Sequence, residues 1–277
     1  VESVRVLVVI PILNPPEWFL SDVIGKLHYQ SISPKILLIN SGKKIETGEY
    51  EVVNISKKEF NHANTRNIAL EYEANFYLFM TQDATPCDNN LIENLLRGFE
   101  DKEVVVSYAR QVPYADANEI EVFARTINYP EVAKVKSKAD LPILGIKTFF
   151  SSDSCAMYRG EYFRKVDGFK RNLNTNEDME FAARAILDEK KVAYTALAKV
   201  YHSHNFTVKQ IWQRYREIGR FFKNNSWILE EVAKYSSVEL TGLKQVKAEL
   251  KYLLKKNPLL IPKSIIFSLT KYVAFKI

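Results

Sequence analysis

Short runs of β-branched and aliphatic residues recur along the first 110 positions. They are separated by segments in which apolar residues return every three or four places. The runs predict strands at Val4–Ile10, Lys35–Asn40, Val52–Ile55, Phe76–Met80 and Val104–Tyr108. The intervening periods predict helices at Pro16–Tyr29, His62–Glu73 and Asp88–Phe99. Pro16 suits a first helical turn, and Asp88 is placed to cap the helix carrying Leu91, Leu95 and Leu96. Such alternation predicts an α/β fold with a mainly parallel central sheet covered by helices on both faces. Ligands of such sheets bind beyond the carboxyl ends of the strands. The loops that matter are therefore those after Ile10, Asn40, Ile55 and Met80.

Beyond Tyr108 the pattern loosens. A helix is expected through Ala117–Ile127, then a polar, Pro-containing mobile loop over Tyr129–Pro142. Strand-like Thr148–Tyr158, a helix over Glu177–Asp188 and strand-like Val192–Tyr201 follow, and from Thr207 the chain reads as helical. The expected division is a domain over 1–206, with halves at about 1–110 and 111–206, and a helical extension over 207–277. There is no internal repeat.

Composition narrows the classes. The 277 residues are 47% hydrophobic and 26% charged, which excludes disordered, collagenous and low-complexity chains. Cys87 and Cys155 cannot make a disulfide framework and form no Cys-x-x-Cys, which points to a reducing, cytoplasmic setting. The N-terminus carries no basic segment or cleavage site of a signal peptide. No stretch of about 18 uninterrupted apolar residues occurs, so no bilayer span is expected. The net charge of +6 conceals an asymmetry: residues 207–277 hold 14 Lys/Arg against 5 acids, a balance of +9. In that tail Val246, Leu250, Leu253 and Leu254 alternate with Lys247, Lys251, Lys255 and Lys256. Ile265, Ile266, Leu269, Tyr272 and Val273 then recur helically around Lys263 and Lys271. This suits either an anionic bilayer surface or a helix packed on the catalytic domain with solvated lysines. Nucleic acid is excluded as a partner, for lack of aromatic-interleaved basic clusters.

Phosphate handling is the next constraint. The nine glycines form no G-x-G-x-x-G and no G-x-x-x-x-G-K-[ST], so both backbone phosphate cradles are missing. A diphosphate would need a metal or Arg/Lys instead. Asp83, just past the strand Phe76–Met80, can hold Mg²⁺ or Mn²⁺ against phosphate oxygens; the alternative is a turn Asp ahead of Pro86.

Six motifs then occur in order: Pro11-Ile12-Leu13-Asn14; Asn40-Ser41-Gly42; Phe60-x-His62-x-x-Thr65-Arg66-Asn67; Thr81-Gln82-Asp83-Ala84; Asn176-Glu177-Asp178; and His202-Ser203-His204. Together they resemble the family 2 glycosyltransferases, most closely their bacterial rhamnosyltransferase branch, over roughly Val4 to Phe222. The resemblance implies a GT-A, Rossmann-like nucleotide-binding fold, an inverting mechanism, a nucleotide-diphosphate sugar donor and a divalent cation. By position it implies Pro11 and Asn14 beside the nucleoside and Asn40 near base or ribose, where the family usually has Asp. It also puts Arg66 near the donor, where a guanidinium fork meets phosphate or nucleotide oxygens. Thr81 replaces the first carboxylate of a D-x-D element, leaving Asp83 as its sole acid, with Gln82 and Thr81 as hydrogen-bonding groups.

Glu177 and Asp178 open a periodic helix. Thr175 or Asn176 is expected to cap it, and acids in a first helical turn complement the dipole. The pair also matches the family's catalytic position, which makes Asp178 the general base and Glu177 a capping or acceptor-contacting residue. His202 is expected to meet the metal or diphosphate, with His204 structural. Asp153, in a segment resembling the family's acceptor side, either touches a sugar or shapes a turn. The implied reaction moves a sugar, L-rhamnose from dTDP-L-rhamnose, onto a lipid-linked or growing polysaccharide such as O-antigen. The implied location is peripheral, on the inner face of the bacterial cell membrane. Two other readings remain at this level: a sugar nucleotidyltransferase, and an inactive carbohydrate- or membrane-binding scaffold.

Overall fold

Valine- and isoleucine-rich runs make the centre of the structure because they are apolar on both faces and can be buried on both. In the computed structural model, which describes residues 4–45, 48, 50–235 and 238–277 (side chains of 238–241 excepted), nine strands are found. They are β1 (Val6–Ile12), β2 (Lys35–Asn40), β3 (Glu51–Asn54), β4 (Phe76–Met80), β5 (Thr85–Pro86), β6 (Val104–Val112), β7 (Lys134–Lys136), β8 (Cys155–Arg159) and β9 (Lys191–Tyr201). They form one sheet in the order β3-β2-β1-β4-β8-β6-β9-β5, with β7 on β9. The parallel set is β3-β2-β1-β4, with Val8 opposite Ile36 and Leu78. From β8 outward antiparallel pairing enters, Leu78 facing Met157 and Tyr108 facing Ala156. The chain is thus α/β, and its parallel half presents the strand ends singled out by the sequence.

Local departures have local causes. The helix expected at Pro16–Tyr29 is a π-helical turn, Phe19–Ile24, running into Gly25–His28. The one at His62 is α-helical to Asn67 and tightens to 3₁₀ over Ile68–Glu71. Asp88 does not cap its helix: its carboxylate accepts the Asn90 N–H in a local turn, and the helix is Leu91–Arg97. The expected mobile loop at 129–142 contains β7, whose Val135 lies opposite Ala193. Three extended residues carry too little periodicity to announce a strand; pairing with β9 makes one. Likewise only Cys155–Arg159 of the expected strand at 148–158 is extended, since Gly145–Phe149 is a 3₁₀ turn.

Two units make up the chain. The first comprises Val1–Gln111, Glu131–Lys138 and Phe149–His202, and holds the sheet. On one side its core is aromatic: Tyr77, Phe79, Tyr158, Phe163, Phe169 and Phe181 are all fully buried. Tyr158 and Phe181 meet edge to face at 5.0 Å, and Phe79 and Phe169 at 5.1 Å. Phe181 anchors the helix Glu177–Leu187, and that anchor fixes where its first turn stands.

The second unit comprises Val112–Pro130, Ala139–Thr148 and Ser203–Ile277. Its helices include Glu119–Asn128, Val208–Asn224, Val238–Lys256 and Ile261–Lys276. Asn118 caps the first through the Ile120 and Glu121 N–H groups, and Thr207 with Gln210 forms a capping box on the second. Ile120, Ile211, Leu253 and Phe267 form their shared core. Gly219 lies so close to the last helix that a Cβ there would meet the Phe275 carbonyl oxygen at 2.3 Å. Ser264 donates to the buried carboxylate of Glu249. The last helix, Ile261–Lys276, thus turns Ser264, Phe267 and Ala274 inward and leaves Ile265, Ile266, Leu269, Tyr272 and Val273 exposed. Pro258–Lys276 is also long and apolar enough to cross a membrane by length and composition. Lys263 and Lys271 interrupt its apolar run without ending the helix.

Candidate active site

Strand ends β1, β2 and β4 build one rim in the first unit. Beyond β1, Asn14 takes a left-handed backbone (φ 44°), and its side-chain oxygen accepts from the Lys43 N–H at 2.9 Å. Asn tolerates that conformation better than most residues. Gly42 is required beside it, since a Cβ would fall 2.5 Å from Asn14 Oδ1. Asn40 is 1% exposed and directs its amide inward. It donates to Lys43 O and Asn54 Oδ1 and accepts from the Gly42 N–H, so it shapes the loop. Gln82 accepts from the Leu13 N–H at 2.8 Å and ties the β4 end to the β1 end. Pro11, half-buried in β1, lies opposite Ile39.

At the β4 end Asp83 meets the end of β9. His202 Nε2 lies 3.5 Å from Asp83 Oδ1, with the carboxylate 39% and the imidazole 8% exposed. Gln111 Oε1 stands 2.8 Å from His202 Nδ1, and Gln111 Nε2 donates to Ser152 Oγ. With its nitrogen donating to Ser152, the Gln111 oxygen is the acceptor, so His202 carries its proton on Nδ1 and offers a lone pair at Nε2. An imidazole oriented in this way beside a carboxylate is a donor set that fits a divalent cation. Thr81, in the place of the missing acid, has a buried hydroxyl without a protein partner. His204 belongs to the second unit, where its N–H donates to Glu121 and its ring packs on Phe206.

A second cluster is assembled by asparagines. Asn61 caps the helix His62–Asn67 by accepting the Asn64 N–H, as its sequence position predicts. Asn61 also reaches Asn174, Asn64 pairs with Asn172, and Asn67 bonds both the N–H and carbonyl of Phe169. These bonds draw that helix against the loop leading into Glu177. Arg66 Nη1 is consequently 3.1 Å from Glu177 Oε1, and its Nε is 3.4 Å from Asp153 Oδ2, with all three side chains buried. His62 Nδ1 lies 3.2 Å from Arg66 Nη1 and 4.0 Å from Glu177. Tyr158 Oη donates to Asp153 Oδ1 at 2.6 Å. Asp178 is partly buried; its Oδ1 accepts from the Met179 N–H at 2.7 Å and its Oδ2 from the Asp153 N–H at 3.1 Å.

The charges follow from this enclosure. Burial and then the Glu177 charge push Asp178 up to about 6, although two main-chain N–H bonds favour its ionised form. Burial raises Asp153 well above the carboxylate range, against the pull of Arg66. Burial also opposes the Arg66 charge, yet Glu177, Asp153 and Asp178 hold its pKa above the ordinary value. A carboxylate titrating near neutrality on a fixed frame can accept a proton from a hydroxyl during its displacement.

Asp83 and His202 are thus brought together, and so are Arg66, Asp153, Glu177 and Asp178. Asn176 does not cap: it is left-handed (φ 58°), its side chain accepts from no N–H of the helix, and its amide instead donates to Met179 Sδ, while Thr175 hydrogen-bonds Asn176. The left-handed turn lets the acidic pair enter the first helical turn directly. Gln111 and Tyr158 escaped the sequence reading. Each is an ordinary strand residue whose partner lies elsewhere in the chain, and no spacing marks them.

Comparison with known proteins places this geometry. No protein-family model matches the chain. It is 37% identical to the O-antigen chain rhamnosyltransferase RfbN of Salmonella typhimurium, over 99% of this chain and 89% of that protein. It is 40% identical to the O-antigen chain rhamnosyltransferase WbaN of Salmonella anatum, over 82% and 71%. Among solved structures it resembles the mannosyltransferase PcManGT of Pyrobaculum calidifontis in complex with GDP-Man and Mn²⁺ (TM-score 0.63, 12% identity, 97% of this chain and 86% of that one). It also resembles residues 1–349 of TarS from S. aureus in complex with UDP (TM-score 0.55, 12% identity, 98% and 89%). At such identities these two structures establish the fold alone. With sequence kinship and fold in agreement, the chain is a glycosyltransferase of GT-A fold and belongs to the O-antigen rhamnosyltransferase branch of family 2.

Proposed function

We propose that the enzyme moves L-rhamnose from dTDP-L-rhamnose onto a growing or lipid-linked polysaccharide, inverting the anomeric centre in one displacement. The observation that carries this reading is Asp178, a carboxylate held by two main-chain N–H groups with its pKa pushed up to about 6. The acceptor oxygen attacks the anomeric carbon, and the bond from that carbon to the diphosphate breaks. The hydroxyl proton passes to Asp178. Glu177, ion-paired to Arg66, holds the helix terminus on which Asp178 sits, and Asp153 borders the acceptor side. Pro11, Asn14, Asn40 and Gln82 form or brace the rim that receives the nucleotide, while Arg66 is turned into the acid cluster, paired with Glu177 and Asp153.

Asp83 and His202 would hold Mg²⁺ or Mn²⁺, which supplies charge compensation for a diphosphate when bound. The Mn²⁺ and GDP-Man of the mannosyltransferase complex and the UDP of the TarS complex support a nucleotide-sugar donor with a cation. The relatives support rhamnose and O-antigen. The exposed apolar face of the last helix, flanked by lysines, supports a peripheral position on the cytoplasmic membrane surface.

The test is release of nucleoside diphosphate from a panel of nucleotide sugars, with Mn²⁺ and a polyprenyl-linked glycan acceptor. Release from dTDP-L-rhamnose, dependent on acceptor, is the expected result. Release from another donor would replace the sugar, and pyrophosphate as product would overturn the reaction class.

A further inference from the structure

Three carboxyl groups share one guanidinium in the first unit, more acid than a base alone requires. Arg66 is 2%, Asp153 3% and Glu177 5% exposed, and Asp178 closes the group from its solvent side. Full ionisation would leave two uncompensated negative charges in a largely desolvated space, so the set retains a proton. The groups facing it are Arg66 and His62 from one helix, Glu177 and Asp178 from another, Tyr158 from β8 and Asp153 from the turn before β8. Asp153 is the deepest of the acids with two clamps. Tyr158 Oη holds its Oδ1 at 2.6 Å, and Arg66 lies 3.4 Å from its Oδ2.

Asp178 is reached differently. One of its oxygens is held by its own helix, through the Met179 N–H. The other is held from outside that helix by the Asp153 N–H. Rotation of the Asp178 carboxylate is therefore limited by where the Asp153 backbone stands, and that backbone is pinned through the Asp153 side chain. Tyr158 is itself locked in the aromatic core against Phe79, Phe163, Phe169 and Phe181. The chain of contacts runs from core to Tyr158, to Asp153, to Asp178.

We infer that Asp153 is a positioning residue: its clamped carboxyl group fixes its own main-chain N–H as the outer ligand that orients the base Asp178. This inference rests on Asp178 being the base. It departs from a direct sugar contact by Asp153, since the side chain points into the protein. Loss of the clamp frees the base to rotate, and small misplacement of a reacting group costs up to about 10²-fold in rate. The main-chain N–H of residue 153 survives such a change, and what is lost is its fixed position beside Asp178 Oδ2.

The experiment measures kcat and acceptor KM for wild type, Asp153→Ala, Asp153→Asn, Tyr158→Phe and Asp178→Asn, with a thermal melt of each. Asp153→Ala is expected to lower kcat by roughly 10–10²-fold with little change in acceptor KM. Asp153→Asn, which can still accept from Tyr158, recovers most of the turnover. Tyr158→Phe falls between them, and decides the matter if Asp153→Ala does not fold. Wild-type kcat in Asp153→Ala would overturn the proposal. A rise in acceptor KM at constant kcat, or Asp153→Asn as impaired as Asp153→Ala, would do so too. Near-normal turnover by Asp178→Asn would instead remove the base itself, whatever the Asp153 variants do.

Discussion

The two units treat unfavourable groups in opposite ways. The sheet unit concentrates charge inside: Arg66, Asp153 and Glu177 lie buried together, among hydrogen bonds and ion pairs. The helical unit keeps its lysines in solvent and leaves apolar side chains uncovered, with Leu259 89%, Leu269 61% and Tyr272 63% exposed. Either arrangement costs free energy relative to the ordinary one, several kcal/mol per desolvated ion and about 25 cal/mol per Å² of apolar surface left in water. The difference teaches where to look for function. The proposed roles differ accordingly: the buried charge would hold a proton at a set affinity, and the exposed apolar face would meet a membrane surface.

The comparison can be broken most sharply at Asp178. Asp178→Asn is expected to lower turnover by roughly 10²–10⁴-fold, the usual range for loss of a general base, while nucleotide-sugar binding persists. Steady-state kinetics beside donor titration check this, and near-wild-type transfer would reduce the buried cluster to a structural ion-pair network.

Gln111 sharpens the contrast inside the sheet unit, because it serves a site residue without being one. Gln111→Ala frees His202 Nδ1 and is expected to weaken Mn²⁺ binding by roughly 10–100-fold, as loss of outer partners does. Calorimetry with Mn²⁺ and nucleoside diphosphate reads the change. Chelation with EDTA should likewise abolish transfer, and full turnover in its presence would remove the cation from Asp83 and His202.

Acidity tests the buried charge without a mutation. A base must be ionised to accept the acceptor proton, and Asp178 is pushed up to about 6. With Asp178 as the proposed base, the rate is expected to be full well above that pH and to fall about tenfold per unit well below it. A profile flat down to pH 4.5 would show that the cluster leaves Asp178 at an ordinary carboxylate affinity.

The helical unit offers the smallest effect. Leu269→Glu with Tyr272→Glu changes only exposed side chains, so the fold and transfer to a soluble acceptor should persist. Binding to anionic vesicles should fall by about tenfold or more, since each inserted large side chain contributes roughly 1.5–3 kcal/mol. Co-sedimentation with liposomes checks this at two salt concentrations, with salt weakening the lysine contribution alone. Unchanged sedimentation would leave the apolar face without a membrane role.

Much of the fold was legible in the chain. The runs at Lys35–Asn40 and Phe76–Met80 are strands over those same residues, because an apolar run bounded by polar turns has few other ways to be buried. The parallel half of the sheet followed from alternation, and Asp83 and Asp178 from motifs lying at a strand end and a helix start. The strands followed from hydrophobic period and Asp83 from its strand-end loop, whereas the reading of Asp178 as base came from the resemblance of the Glu177-Asp178 pair to the family's catalytic position.

Other features depended on partners distant in sequence. β7 is a strand because β9 passes beside it. Gln111 bonds His202 91 residues away, Asn67 reaches Phe169 across 102, and Arg66 is enclosed by acids from two separate segments. The apolar positions of the last helix read alike along the sequence, yet Phe267 is buried and Leu269 exposed. The sequence by itself determined which elements form and which acids stand at their ends. Only the tertiary structure decided which groups are desolvated together, because proton affinity and burial depend on the surroundings that folding brings to a side chain.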